Sequence, residues 1–71
     1  MTVKEAISKN IRRIKKERNL TYPDLAELSG LHKLAIMNWV MQRNATTIEC
    51  AWLLCRALGI SLDDLVEGAD E

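Results

Sequence analysis

The sequence predicts an all-α domain of five helices. Three observations carry that expectation: four Ser or Thr residues are each followed three positions later by an acid, apolar residues recur at helical spacing after each pair, and no stretch alternates as a half-buried strand does. In such a capping box the hydroxyl oxygen accepts the backbone N–H three residues on, and the acid accepts the cap residue's own N–H. Thr2/Glu5, Thr21/Asp24, Thr46/Glu49 and Ser61/Asp64 fit the pattern, with room for whole helices between them.

The first helix is expected over residues 3–18, where Val3, Ile7, Ile11 and Ile14 form one stripe and Lys9, Arg12, Arg13 and Lys16 fall on the other side. That basic face reads as a solvated surface that raises the local potential. A second helix follows Thr21, with Pro23 in the first turn, where its missing N–H costs little. Tyr22 precedes the proline and so resists the αR region, which softens this boundary. Leu25, Ala26 and Leu28 supply the apolar face, and Gly30 suits a left-handed stop. A third helix is expected over residues 33–41, the only one without a capping box, followed by a loop over 42–45. The fourth covers 47–58, with Ile48, Ala51, Leu54, Cys55 and Leu58 toward the core and Gly59 as its stop. Trp52 and Leu53 are adjacent there, so they cannot both face inward, and one of them makes a surface patch. A short fifth helix over 61–66 completes a single domain of residues 1–67, before an acidic tail at 68–71.

Composition bounds the function. The chain has 71 residues, of which 48% are hydrophobic and 28% charged, values typical of one small folded domain. No apolar run reaches the roughly 18 residues that would cross a bilayer. The opening MTVKEAISKN is charged and amphipathic, unlike a secretory signal. Cys50 and Cys55 lie roughly 140° apart around a helix, a poor geometry for a disulfide. With one His besides, they make no zinc set, so neither a metal nor a cofactor is expected, and the thiols suit a reducing cytoplasm. There is no Gly-rich phosphate loop and no Ser/His/Asp constellation, and Asp63 and Asp64 belong to a helix cap, so the protein reads as non-enzymatic. Ten basic and ten acidic residues cancel to a net charge of zero, which taken alone argues against a nucleic-acid partner. The distribution reverses that argument: residues 1–43 hold nine basic and four acidic groups, a net +5, and residues 44–71 a net −5. Since charges act locally, over about 8 Å at physiological salt, the halves matter more than the sum.

Two short helices separated by Gly30, Leu31 and His32 follow the helix-turn-helix plan. Ala26 is small enough for close helix approach, Gly30 permits a positive φ, and Leu31, Ile36 and Trp39 can plug the core beneath. The stretch LTYPDLAELSGLHKLAIMNW, followed by TTIECAWLLCRALGISLDDLV, resembles the phage repressor and Cro-type, lambda-repressor-like helix-turn-helix domain. Leu20, Thr21, Leu25, Ala26, Gly30, Ile36 and Trp39 match that pattern in register. The resemblance covers roughly residues 5–67 and implies a five-helix fold that binds duplex DNA as a transcriptional regulator, expected here to be a repressor. By the same resemblance the third helix enters the major groove and Lys33, Leu34, Met37 and Asn38 contact base edges. Thr21, Tyr22, Arg43 and Asn44 are implied as phosphate contacts. The chemistry agrees: Lys33 suits guanine O6/N7, Asn38 suits adenine N6/N7, and Leu34 or Met37 suits thymine methyls.

The chain also departs from the family. Tyr22 replaces a usual Gln, His32 a usual small hydroxyl cap, and Val40 a usual Glu that pairs with the first helix, while Gln42 stands where a Gly usually ends the third helix. His32 is expected to be a surface turn residue. The outward face of the third helix carries Leu34, Met37 and Met41, which leaves a second reading open: a protein-contact module on the same fold. Family members often dimerise through the fourth and fifth helices, which implies a homodimer seam near Trp52 and Leu53. No membrane and no small-molecule ligand is expected.

Overall fold

Helix α1 (Val3–Glu17) begins where its capping box closes in both directions: the Thr2 hydroxyl accepts the Glu5 N–H, and the Glu5 carboxylate accepts the Thr2 N–H. The same reciprocal pair opens α2 (Tyr22–Ser29) at Thr21 and Asp24, and α5 (Leu62–Leu65) at Ser61 and Asp64. Hydrogen bonds from the cap backbone N–H and then the cap hydroxyl hold the Glu5 and Asp24 carboxyls below the usual carboxylate range. Tyr22 is the first helical residue of α2 despite the proline after it, because the closed box pins the turn. Helix α4 (Ile48–Leu58) departs from expectation. Its cap is Thr47, which accepts the Cys50 N–H, so the third position holds a thiol and no Thr46/Glu49 box forms. The remaining helix, α3 (Lys33–Val40), ends one residue short of its expected bound, as α1 does.

The computed structural model describes residues 1–71, which form these five helices and no strand. α3 packs on α1 and α2, while α4 packs on α2 and α5, and α5 also meets α1. The α3 backbone stays more than 8 Å from α4 and α5, so the acidic half of the chain lies away from it. Ile7, Ile11 and Ile14 of α1 meet Leu25, Ile36, Trp39, Leu54, Leu58 and Leu65 in one core. Cys55 is buried with them, and burial first, then the Asp64 carboxylate, pushes its thiol pKa up.

Three residues expected inward lie outside. Val3 is exposed at the start of the α1 stripe, Leu28 is 55% exposed, and Ile48 is 74% exposed. At 100° per residue, Ile48 and Trp52 sit roughly 70° and 110° from the middle of the α4 face formed by Ala51, Leu54, Cys55 and Leu58. They therefore run along an uncovered flank. Trp52 is the surface residue of its pair, as the adjacency argument requires of one of them, while Leu53 lies on the far flank beside Leu28.

Polar residues inside the α1 stripe complete the fold. Ser8, Asn10 and Ser29 are the buried polar residues, and no buried side-chain N or O lacks a partner. Ser8 Oγ donates to the carbonyl of Val40 at 2.5 Å, and Asn10 Nδ2 to that of Leu65 at 2.7 Å and of Glu67 at 3.1 Å. The Arg18 guanidinium donates to the Leu58 carbonyl at 2.7 Å. Val40, Leu58 and Leu65 are the last residues of α3, α4 and α5, where carbonyls have no intrahelical donor. Downstream of α5, the Asp70 N–H donates to the Met1 carbonyl at 2.9 Å, which folds residues 68–71 back onto the start of α1.

Asn10→Ala leaves two carbonyls without their donor and is expected to lower unfolding free energy by about 1–3 kcal/mol. Urea denaturation followed by circular dichroism measures it, and a loss no larger than that of an exposed Ala substitution such as Lys9→Ala contradicts this role.

Candidate nucleic-acid interface

The turn between α2 and α3 is built from side-chain hydrogen bonds. Gly30 has φ +76° and its N–H donates to the Ala26 carbonyl; a Cβ there would meet nothing within 4 Å, so glycine serves the backbone angle rather than space. Ser29 Oγ donates to the Leu25 carbonyl at 2.7 Å and accepts the Leu31 N–H at 3.2 Å. His32 then caps α3: its Nδ1 accepts the Leu34 N–H at 3.1 Å, which requires the proton to sit on Nε2. His32 is on the surface, as expected, but it does the work of the hydroxyl it replaces.

α3 divides cleanly into two faces. Ile36, Trp39 and Val40 are buried against α1 and α2. Lys33, Leu34 and Met41 are exposed, and Met37 and Asn38 are half-buried beside them. The expected base-contacting residues thus share one outward face. Val40, in place of the usual Glu, contributes its carbonyl to Ser8 and keeps the α1–α3 link without an ion pair.

The end of α3 shows what replaces the missing glycine. Gln42 has φ +59°, its N–H donates to the Trp39 carbonyl at 3.1 Å, and the Arg43 N–H donates to the Asn38 carbonyl at 2.8 Å. These are the two bonds of a Schellman stop, closed with a glutamine in the left-handed position. Arg43 and Asn44 follow as exposed loop residues, and Asn44 borders a crevice lined by Val3, Ile7 and Trp39.

At the start of α2, the Thr21 hydroxyl serves the capping box with Asp24, its oxygen accepting the Asp24 N–H. Pro23 has no N–H, so Tyr22 presents the one free backbone donor of this turn. Its ring lies 4.8 Å from the Lys15 ammonium and borders a hollow with Arg12, Lys15 and Lys16. The basic face of α1 therefore adjoins the α2 N-terminus, and Lys15, which lies outside the opposing set Lys9, Arg12, Arg13 and Lys16, is the link. α3 itself contains no acid, with Lys33 at its start and Arg43 past its end.

The helix-turn-helix family model matches residues 11–65 of the chain. The control protein C.SmaI of Serratia marcescens is 32% identical to it over 66 residues, which cover 93% of this chain and 79% of that protein.

Removing the α3 cap by His32→Ala is expected to cost about 1 kcal/mol and to speed hydrogen exchange at the Leu34 amide. His32→Ser keeps an acceptor at the same position and is expected to retain most of the protection. Equal exchange in all three proteins would falsify the capping role.

Proposed function

The chain belongs to the helix-turn-helix family and is a sequence-specific DNA-binding regulator of transcription; from that premise we propose that α3 lies in the major groove, with Lys33, Leu34, Met37 and Asn38 toward the base edges. The observation that carries this reading is the free outward face of α3, without an acid and with a cation at either end. Thr21, Tyr22, Arg43 and Asn44 anchor phosphates: the first pair at the α2 N-terminus, where the Tyr22 N–H is free, the second from the loop that Gln42 turns outward. Arg12, Lys15 and Lys16 raise the potential beside the α2 N-terminus. Repression follows from occupancy, because a filled groove excludes other proteins from that DNA. The reading is non-catalytic and cytoplasmic, and two unpaired thiols suit that compartment.

We also propose that the protein acts as a homodimer. Ile48 and Trp52 of α4 flank Leu62 of α5, and Val3 adjoins them, making one apolar patch. Leu53 faces α2 instead and stands outside this seam. A two-fold dimer of helix-turn-helix units reads two half-sites in successive major grooves, about 34 Å apart. Exposed acids, Glu49 and Asp63 among them, border the patch, and Arg56, 5.4 Å over the Trp52 ring, sets a cation beside them, so the rim carries both signs.

Titration against duplex DNA at two salt concentrations tests the groove reading. Affinity is expected to fall steeply as salt rises, and Lys33→Glu to lower specific affinity by roughly ten- to a hundredfold. Absence of binding at low salt contradicts it and favours a protein partner on Leu34, Met37 and Met41. Ile48→Asp, at a first-turn position that tolerates an acid, is expected to weaken dimerisation at least tenfold in sedimentation equilibrium while leaving helix content unchanged.

A further inference from the structure

The outward face of α3 is apolar along its length. Leu34 is 56% exposed and Met41 54% exposed, with Met37 half-buried between them at steps of three and four residues. No element of the chain covers this row, because α1 and α2 pack on the opposite side of the helix. Its borders are cationic, Lys33 at one end and Arg43 beyond the other. A ligand that matches it has anionic rims and a floor with small apolar groups. The major groove of duplex DNA has that form, and the thymine C5-methyl is the one apolar group among its base edges.

Resting on the DNA-binding reading, we propose that Leu34, Met37 and Met41 recognise thymine methyl groups, so that the site is selected by methyl position as much as by hydrogen bonding. The row spans about 10 Å at 1.5 Å per residue, or about three base-pair steps of 3.4 Å. It therefore reaches methyls within four consecutive base pairs. Asn38 stands on the same face beside Met37, and its amide matches adenine N6/N7. An A·T pair under these two neighbours offers a partner to both, adenine to the amide and the methyl to the thioether.

Replacing thymine by deoxyuridine deletes only the methyl and isolates the proposal. Bound duplexes are first selected from a random library with the intact protein, and the selected duplex is then compared with copies carrying dU at single positions. Selection is expected to enrich A·T pairs at neighbouring positions. Each dU at a contacted position is expected to weaken binding about fourfold, the factor for one buried methyl, while affinity for unselected duplex stays the same. In Leu34→Ala, whose side chain is largely outside the fold, the penalty at one such position is expected to disappear with helix content preserved. Equal affinity for dT and dU duplexes at every enriched position overturns the proposal and leaves DNA binding standing. A selection that enriches no sequence, or no salt-dependent binding at all, overturns the underlying reading as well.

Discussion

Three hydrogen bonds from α1 and its C-cap residue hold the ends of three other helices. Ser8, Arg18 and Asn10 each donate to the last carbonyl of a different helix, α3, α4 and α5 respectively. Helix C-termini leave carbonyls without donors, and a short helix in a small core has few turns over which to average that cost. In a chain whose last helix has four residues, such terminal bonds form a large share of what defines each end. The apolar contacts of Ile7, Ile11 and Ile14 supply the attraction between α1 and its neighbours, and the donors between them set where each neighbour stops.

The functional face depends on the same arrangement. α3 is eight residues long, and its inward side is held by Ile36, Trp39 and the Ser8 bond to Val40. Its two ends are closed by unusual residues, a histidine acceptor at the start and a left-handed glutamine at the finish. Because those local bonds satisfy the backbone, the outward side chains are free of structural duty. Packing only on α1 and α2 also sets α3 within the basic half of the chain, while the acids of α4 and α5 lie elsewhere. A molecule of zero net charge thus presents an α3 face bordered by cations, since exposed charges act over short distances in salt.

Much of this was legible in the residues. Three of the four predicted capping boxes close as read, since a hydroxyl and an acid three apart at a helix start each reach the other's backbone N–H. The fourth misleads because Thr46 and Thr47 are adjacent and either can cap; Thr47 does, one residue on. Leu28 and Ile48 look inward by periodicity, but each sits at the edge of a helix–helix contact, Leu28 beside Leu53 and Ile48 beside Leu62, and stays mostly exposed. Asn10 carried a signal that went unread: it lies on the apolar stripe between Ile7 and Ile14, and a polar residue in that position needs a buried partner. His32 carried no comparable mark, since histidine is uncommon as a helix cap.

The residues alone determine that the chain is helical, where its helices start, that a glycine turn joins α2 to α3, and that charge is divided between its halves. Those properties reside in neighbours along the chain, in caps, periodicity and backbone angles. Tertiary structure decided which α1 side chains meet which helix ends, that Trp52 joins Ile48 and Leu62 while Leu53 does not, and that a row of Leu and Met stands uncovered on α3. Each of these depends on how separate helices meet, and only the packing of the helices on one another brings such groups together or keeps them apart.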